Sequence, residues 1–249
     1  MKKLVKLFAL AAVMLVCGQS MAQTRGAMSL GASFPMGDFA KFDGMDDFAL
    51  VSHDEDEGGA GIGFNLGFKW CFNVGVKGLG VMLSADGLYN GPCADLKTYY
   101  RNMETNEGVK YTSTPKYINI PVMVGLNYIY HFNPNFGLFV EAGAGGNLRL
   151  ITEMSTLEKK ELLLVETKTA TTNHYDAAFS FAWQAGIGFE VAKNLVIGCS
   201  FYDLGKGTVK MTETKKVTVG NGNPLITTDY KTLGTVHPVM ILARIGFSF

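Results

Sequence analysis

From Lys116 to Phe132 the chain reads KYINIPVMVGLNYIYHF, and Ile118, Ile120, Val122, Val124, Leu126, Tyr128, Tyr130 and Phe132 place an apolar or aromatic side chain at every second position. Between them stand Tyr117, Asn119, Pro121, Met123, Gly125, Asn127, Ile129 and His131. Successive side chains of a strand leave on opposite faces, so the two sets line two different environments. The run is longer than an ordinary globular strand of about 5–6 residues. It also holds a proline, which cannot donate to a ladder.

The same period of two recurs from Met28 to Phe34, Ile62 to Phe72, Leu79 to Ala85, Leu138 to Leu148, Phe179 to Phe189, Leu195 to Phe201 and Val239 to Phe249. With the opening stretch that makes about eight strands, an even number in the range of bacterial barrels. One face is continuously apolar and rich in Phe. The other carries Gly, Ser and Asn, with the charges Lys69, Asp86, Glu141, Arg149, Glu190 and Arg244. In water the apolar face would need a second sheet or a layer of helices. No amphipathic helical segment is evident beyond the N-terminal region. Lipid is the simpler cover, because a closed barrel satisfies every backbone group without an edge.

The connections point the same way. Three are short, around NVGVKG, at Asn133 to Asn135, and at Lys193 and Asn194. The four others are long. Alternating short and long connections match periplasmic turns and extracellular loops, with both chain ends periplasmic. Three of the long connections read as hairpins rising beyond the membrane, with TNEG, LEKK and GNGNP near their middles. The first, DGMDDFALVSHDEDEGG, is acidic and Gly-rich and reads as irregular.

Lys2, Lys3 and Lys6 precede the apolar LFALAAVMLV, and Ser20 and Ala22 occupy small-residue cleavage positions. Residues 1–22 therefore read as a cleaved secretory signal, 23–249 as the barrel domain and Gln23 as the mature start. The apolar run falls short of the ~20 residues of a spanning helix. Cys17 raises a lipoprotein alternative, but Val16 before it is bulky where a small residue is needed. Removal of the signal leaves 19 basic residues against 22 acidic ones, which gives no reason to expect nucleic acid as a partner. Cys71, Cys93 and Cys199 show neither CxxC pairing nor zinc spacing, and read as small hydrophobes or free thiols.

A barrel of about eight strands is just wide enough inside to be filled by side chains. Three basic residues (Lys69, Arg149, Arg244) and three acidic ones (Asp86, Glu141, Glu190) are therefore expected to pair there as a structural plug, since unpaired buried charge is costly. The alternative is a selectivity path for ions. No His and Ser stand two residues apart as a lipid A deacylase would need. Asp46, Asp47, His53 and Asp54 could mimic an omptin-like pair, but their spacing is unspecific and the strands are too few. HDEDEGG lacks the ligand spacing and mid-loop glycine of an EF-hand and reads as a solvated acidic loop. His131, His174 and His237 stand alone. No catalytic, cofactor or metal site is expected. Pro121 is expected to mark a bulge or a broken ladder within a residue or two.

KYINIPVMVGLNY, GLFVEAGAG, WQAGIGFEV, LVIGCSFYDLG and the terminal IGFSF resemble the small outer-membrane β-barrel domain of Gram-negative bacteria, of the porin-family, PorT-like or OmpA/OmpX type. The resemblance covers nearly the whole mature chain. It implies an all-β, closed antiparallel transmembrane barrel in outer-membrane lipid, without the peptidoglycan-binding domain of OmpA relatives. It also implies Phe247 and Phe249 as a C-terminal signal for the barrel-assembly machinery, with periplasmic chaperones as partners during biogenesis. The expected function is non-enzymatic: the barrel anchors, and the loops serve surface interaction or envelope integrity, with an extracellular or envelope protein as partner. The alternatives are a narrow porin-like channel or small-solute transporter, and a component of a PorT-like envelope or secretion machine.

Overall fold

The computed structural model describes residues 24–42, 58–162, 165–192, 194–220 and 226–249. The described strands are β1 (Thr24–Met36), β2 (Ala60–Asn73), β3 (Leu79–Pro92), β4 (Val109–Ser113), β5 (Tyr117–Asn133), β6 (Phe136–Ile151), β7 (Met154–Leu162), β8 (Val165–Tyr175), β9 (Ala178–Val191), β10 (Leu195–Asp203), β11 (Gly207–Val219), β12 (Ile226–Val236) and β13 (Val239–Ser248), and the eight period-two segments fall on β1, β2, β3, β5, β6, β9, β10 and β13. Eight of these strands close into an antiparallel barrel in the order β1-β13-β10-β9-β6-β5-β3-β2. The other five form a separate sheet in the order β12-β11-β8-β7-β4. The seam between β1 and β13 is regular, pairing Leu30 with Ile245 and Gly31 with Arg244.

The alternation sorts side chains as a bilayer requires. On β5, Tyr117, Asn119, Pro121, Met123 and Asn127 are buried, while Val122, Val124, Leu126, Tyr128, Tyr130 and Phe132 point out. Phe179 and Phe181 are 74% and 67% exposed on the outer face. Each such side chain would forgo about 1.5–3 kcal/mol of burial if left in water, so lipid is the cover that makes this face tenable. Close packing inside needs glycine at particular points. A Cβ on Gly125 would stand 2.0 Å from the Ala142 carbonyl oxygen.

Pro121 breaks its ladder on one side only. Toward β6 the pairing runs straight through, with Pro121 opposite Asn147. Toward β3 it lapses between Val122, opposite Ala85, and Asn119, opposite Leu88, and resumes in the same register. No bulge forms. The missing N–H costs pairing with one neighbour and leaves the inside–outside order intact.

The start of β1, Phe249 and the short connections after β2, β5 and β9 share one end of the barrel, and the strand ends that lead into the long connections share the other. Two expectations are corrected at that far end. The connection after β3 is not a simple hairpin: it contains helix α1 (Ala94–Asn106) followed by β4. TNEG marks the helix end, where Gly108 takes a positive φ of 68°. Leu96, Tyr100 and Met103 form the buried stripe of α1 at positions i, i+4 and i+7. With ten other residues polar or exposed, that stripe gives a weak signal in the sequence. The helix is also capped unusually, its Leu96 N–H donating to Cys93 Sγ at 3.4 Å. The second correction is that the connections do not rise separately, because strands of three of them join one sheet. Residues 1–22 and most of DGMDDFALVSHDEDEGG, with Asp46, Asp47, His53 and Asp54, lie outside the described residues. Among those described, no helix is long and apolar enough to cross a membrane.

Candidate functional site

The barrel interior gathers charge from widely separated strands. Lys69 on β2 donates to Glu141 on β6 at 2.6 Å. Arg244 on β13 lies 3.0 Å from Asp86 on β3 and 3.4 Å from Glu141. Its guanidinium also donates to Ser200 Oγ at 2.6 Å, and the Tyr202 hydroxyl donates to Asp86 at 2.8 Å. Two cations and two carboxylates thus close one network across the lumen. A space within it, lined by Lys69, Ser84, Asp86, Glu141, Gln184 and Arg244 among others, has a volume of about 30 Å³. That accommodates roughly two water molecules.

The two remaining expected charges behave differently. Glu190 meets Arg25 of β1 near the short-turn end, and Arg25 also donates to Ser248 Oγ at 2.6 Å. Arg25 was missed in the sequence because it precedes the first clear alternation, although it shares the odd parity of the inward residues of β1. Among the described residues Arg149 pairs with no carboxylate, contrary to expectation. It is 1% exposed, and it donates to the carbonyls of Val236 at 2.8 Å and Gly205 at 2.9 Å. Those carbonyls sit at the two roots of the β11–β12 hairpin, so the guanidinium clasps that hairpin to the barrel mouth.

Above Arg149 the lumen is stoppered. Phe39, Leu88, Leu96, Tyr100, Tyr117, Met154, Tyr175 and Met211 belong to one buried cluster between barrel and outer sheet. Phe39 and Tyr117 meet edge to face at 5.0 Å, and the Tyr117 hydroxyl donates to the Gly58 carbonyl. The Tyr100 and Tyr111 rings lie 4.2 Å apart. Among the described residues neither hydroxyl of that pair has a hydrogen-bond partner, and burial pushes both phenols well above their ordinary range.

The five-stranded sheet standing over this stopper is the second half of the site. Its edges differ. β4 has five residues, a register irregularity near Ser113, and contact with α1. β12 has eleven residues and, among the described residues, pairs only with β11. Phe247 and Phe249 lie on the barrel's outer face at the short-turn end, 55% and 71% exposed, and Phe249 exchanges backbone hydrogen bonds with Gly26. Cys71, Cys93 and Cys199 are free thiols. Among the described residues no group of three or more His, Cys, Asp or Glu gathers to hold a metal ion.

The sequence profile of the family described as "Outer membrane protein beta-barrel domain" matches residues 8–222. Among solved structures, Ail of Yersinia pestis in complex with the heparin analogue sucrose octasulfate is 15% identical, with a TM-score of 0.39 over 91% of this chain and 99% of that one. A major outer membrane protein of Thermus thermophilus is 10% identical, with a TM-score of 0.44 over 91% of this chain and 98% of that one. OprG of Pseudomonas aeruginosa is 12% identical, with a TM-score of 0.41 over 91% and 94%. No curated protein matches the chain.

Proposed function

Because the chain belongs to the outer membrane protein β-barrel domain family and is located in the outer membrane, we propose that it is a non-enzymatic anchor that carries a strand platform for contacts at the cell surface. One observation carries this reading: strands from three loops merge into a single sheet above a lumen filled by paired charge and an aromatic stopper. A solute path would call for continuous space through that lumen, whereas a contact surface calls for the sheet. By the rule that such barrels keep short turns in the periplasm, the sheet faces outward. Residues 1–22 are removed on export in this reading, and N-terminal sequencing that begins at Gln23 tests it. Phe247 and Phe249 present the terminal strand to the assembly machinery, whose partners include periplasmic chaperones.

The test of function has two arms. Planar-bilayer recording on the refolded protein is expected to give no conductance steps, and regular steps would favour the channel instead. Replacing Val209–Lys231 by a short turn is expected to leave the barrel assembled and to abolish surface attachment of cells that carry it. Unchanged attachment would remove the platform from the function.

A further inference from the structure

An edge strand offers a row of unpaired backbone donors and acceptors, and proteins usually shorten, bend or cover it. β4 shows such protection, whereas β12 is long and regular. Its middle reads Thr228-Asp229-Tyr230-Lys231-Thr232, which is a charge palindrome of opposite signs about Tyr230. Tyr230 is 59% exposed and Leu233 49% exposed. When such a strand meets a copy of itself antiparallel about Tyr230, Asp229 stands opposite Lys231 of the second copy, and Lys231 opposite its Asp229. Thr228 then faces Thr232, and Thr227 faces Leu233. Asp229 and Lys231 are two residues apart and share a face, so both ion pairs form on that face. A lone edge lysine discourages pairing in general. A lysine with an aspartate two positions away rewards the one antiparallel register that forms both ion pairs and penalises the two that set like charges opposite.

We infer that the open edge of β12 accepts β12 of a second copy, antiparallel and centred on Tyr230, and so joins two barrels seated in facing membranes. The inference rests on the platform serving surface contacts. The facing arrangement follows from the topology. β12 runs from the tip of its hairpin back to β13 in the barrel. An antiparallel partner strand runs the other way, which puts its barrel beyond the tip. A copy in the same membrane would bring β12 alongside in the parallel sense with its two faces exchanged. That sets Asp229 level with Asp229 and mismatches the pleat.

The test uses the full chain with Cys17, Cys71, Cys93 and Cys199 replaced by Ser, refolded into two separate populations of phospholipid vesicles that carry chains of distinguishable length. Facing Cα atoms of an antiparallel ladder lie about 4.5–5.5 Å apart, within disulfide reach. After mixing and mild oxidation, Tyr230→Cys is expected to give a mixed-length disulfide dimer, and Asp229→Cys is expected to link to Lys231→Cys but not to itself. Lys216→Cys, on neighbouring β11, serves as the collision control. Adding Asp229→Lys to Tyr230→Cys is expected to abolish the dimer. Adding Asp229→Lys and Lys231→Asp together is expected to restore it between swapped chains and not between swapped and unswapped ones. No dimer across populations, a dimer equal to that of Lys216→Cys, or free mixing of swapped with unswapped chains would overturn the inference. Loss of attachment on replacing Val209–Lys231 without any of these links would overturn self-pairing and leave the platform's role standing.

Discussion

Removing the Glu141 carboxylate should cost more than removing the Lys69 ammonium that it holds. Glu141 accepts from Lys69 at 2.6 Å, lies 3.4 Å from Arg244, and accepts from Asn127 at 3.4 Å. In Glu141→Gln the shape persists and one negative charge goes. Arg244 keeps Asp86 at 3.0 Å and Ser200 at 2.6 Å, but Lys69 loses its carboxylate. Breaking a buried pair this way costs about 3–5 kcal/mol. The Lys69 side chain retains 20% exposure, which moves the expectation to the lower end, about 3 kcal/mol. Lys69→Met leaves Glu141 with Arg244 and Asn127, and should cost about half as much, in line with a charged hydrogen bond. The double variant restores neutrality, so its loss should fall about 2 kcal/mol short of the sum of the singles. Denaturant unfolding in lipid vesicles measures all three, with Trp70 and Trp183 on the outer face, each 40% exposed, as reporters. Additive losses, or equal losses in the two singles, would refute a lumen held by this pair.

Arg149→Lys keeps the charge but loses the fork that spans Gly205 and Val236. It should cost about 1.5–3 kcal/mol, and trypsin should cut the β11–β12 hairpin faster than in the parent. Gly125→Val should prevent closure, because even a Cβ would meet the Ala142 carbonyl at 2.0 Å. The readout is loss of heat-modifiable gel mobility. Tyr100→Phe removes a buried hydroxyl without a partner, and should stabilise the outer unit by about 1 kcal/mol in thermal unfolding. The phenols of Tyr100 and Tyr111 are raised by burial, so the unfolded chain ionises first. Stability of the outer unit should be flat below pH ~10 and fall as pH rises above it, with tyrosinate absorbance appearing together with unfolding.

Much of the barrel was legible because a bilayer imposes one rule on every stave. The parity that set Tyr117, Asn119 and Met123 against Ile120, Val122 and Val124 is the parity of the folded strand. Inward charge was legible for the same reason, whereas its pairing was not. Arg244 reaches Asp86 across 158 residues of sequence, and nothing in local pattern distinguishes that partner from Glu190. Arg149 found carbonyls instead of a carboxylate because the hairpin roots, not another stave, surround it. Beyond the barrel the signal thinned. Leu96, Tyr100 and Met103 are too few to announce a helix amid polar neighbours. The union of β4, β7, β8, β11 and β12 is a pairing between loops, which alternation within each loop leaves undetermined.

The joints between the two sheets have a mechanical consequence. Three residues separate β10 from β11, and two separate β12 from β13. A pull on the hairpin tip therefore passes along strand axes into the barrel wall with almost no slack to take up. The ladders joining β12, β11, β8 and β7 lie across that pull, so they are loaded in shear and share the force instead of parting one bond at a time. The outer sheet is built as a stiff mast on a fixed socket, not as a tether.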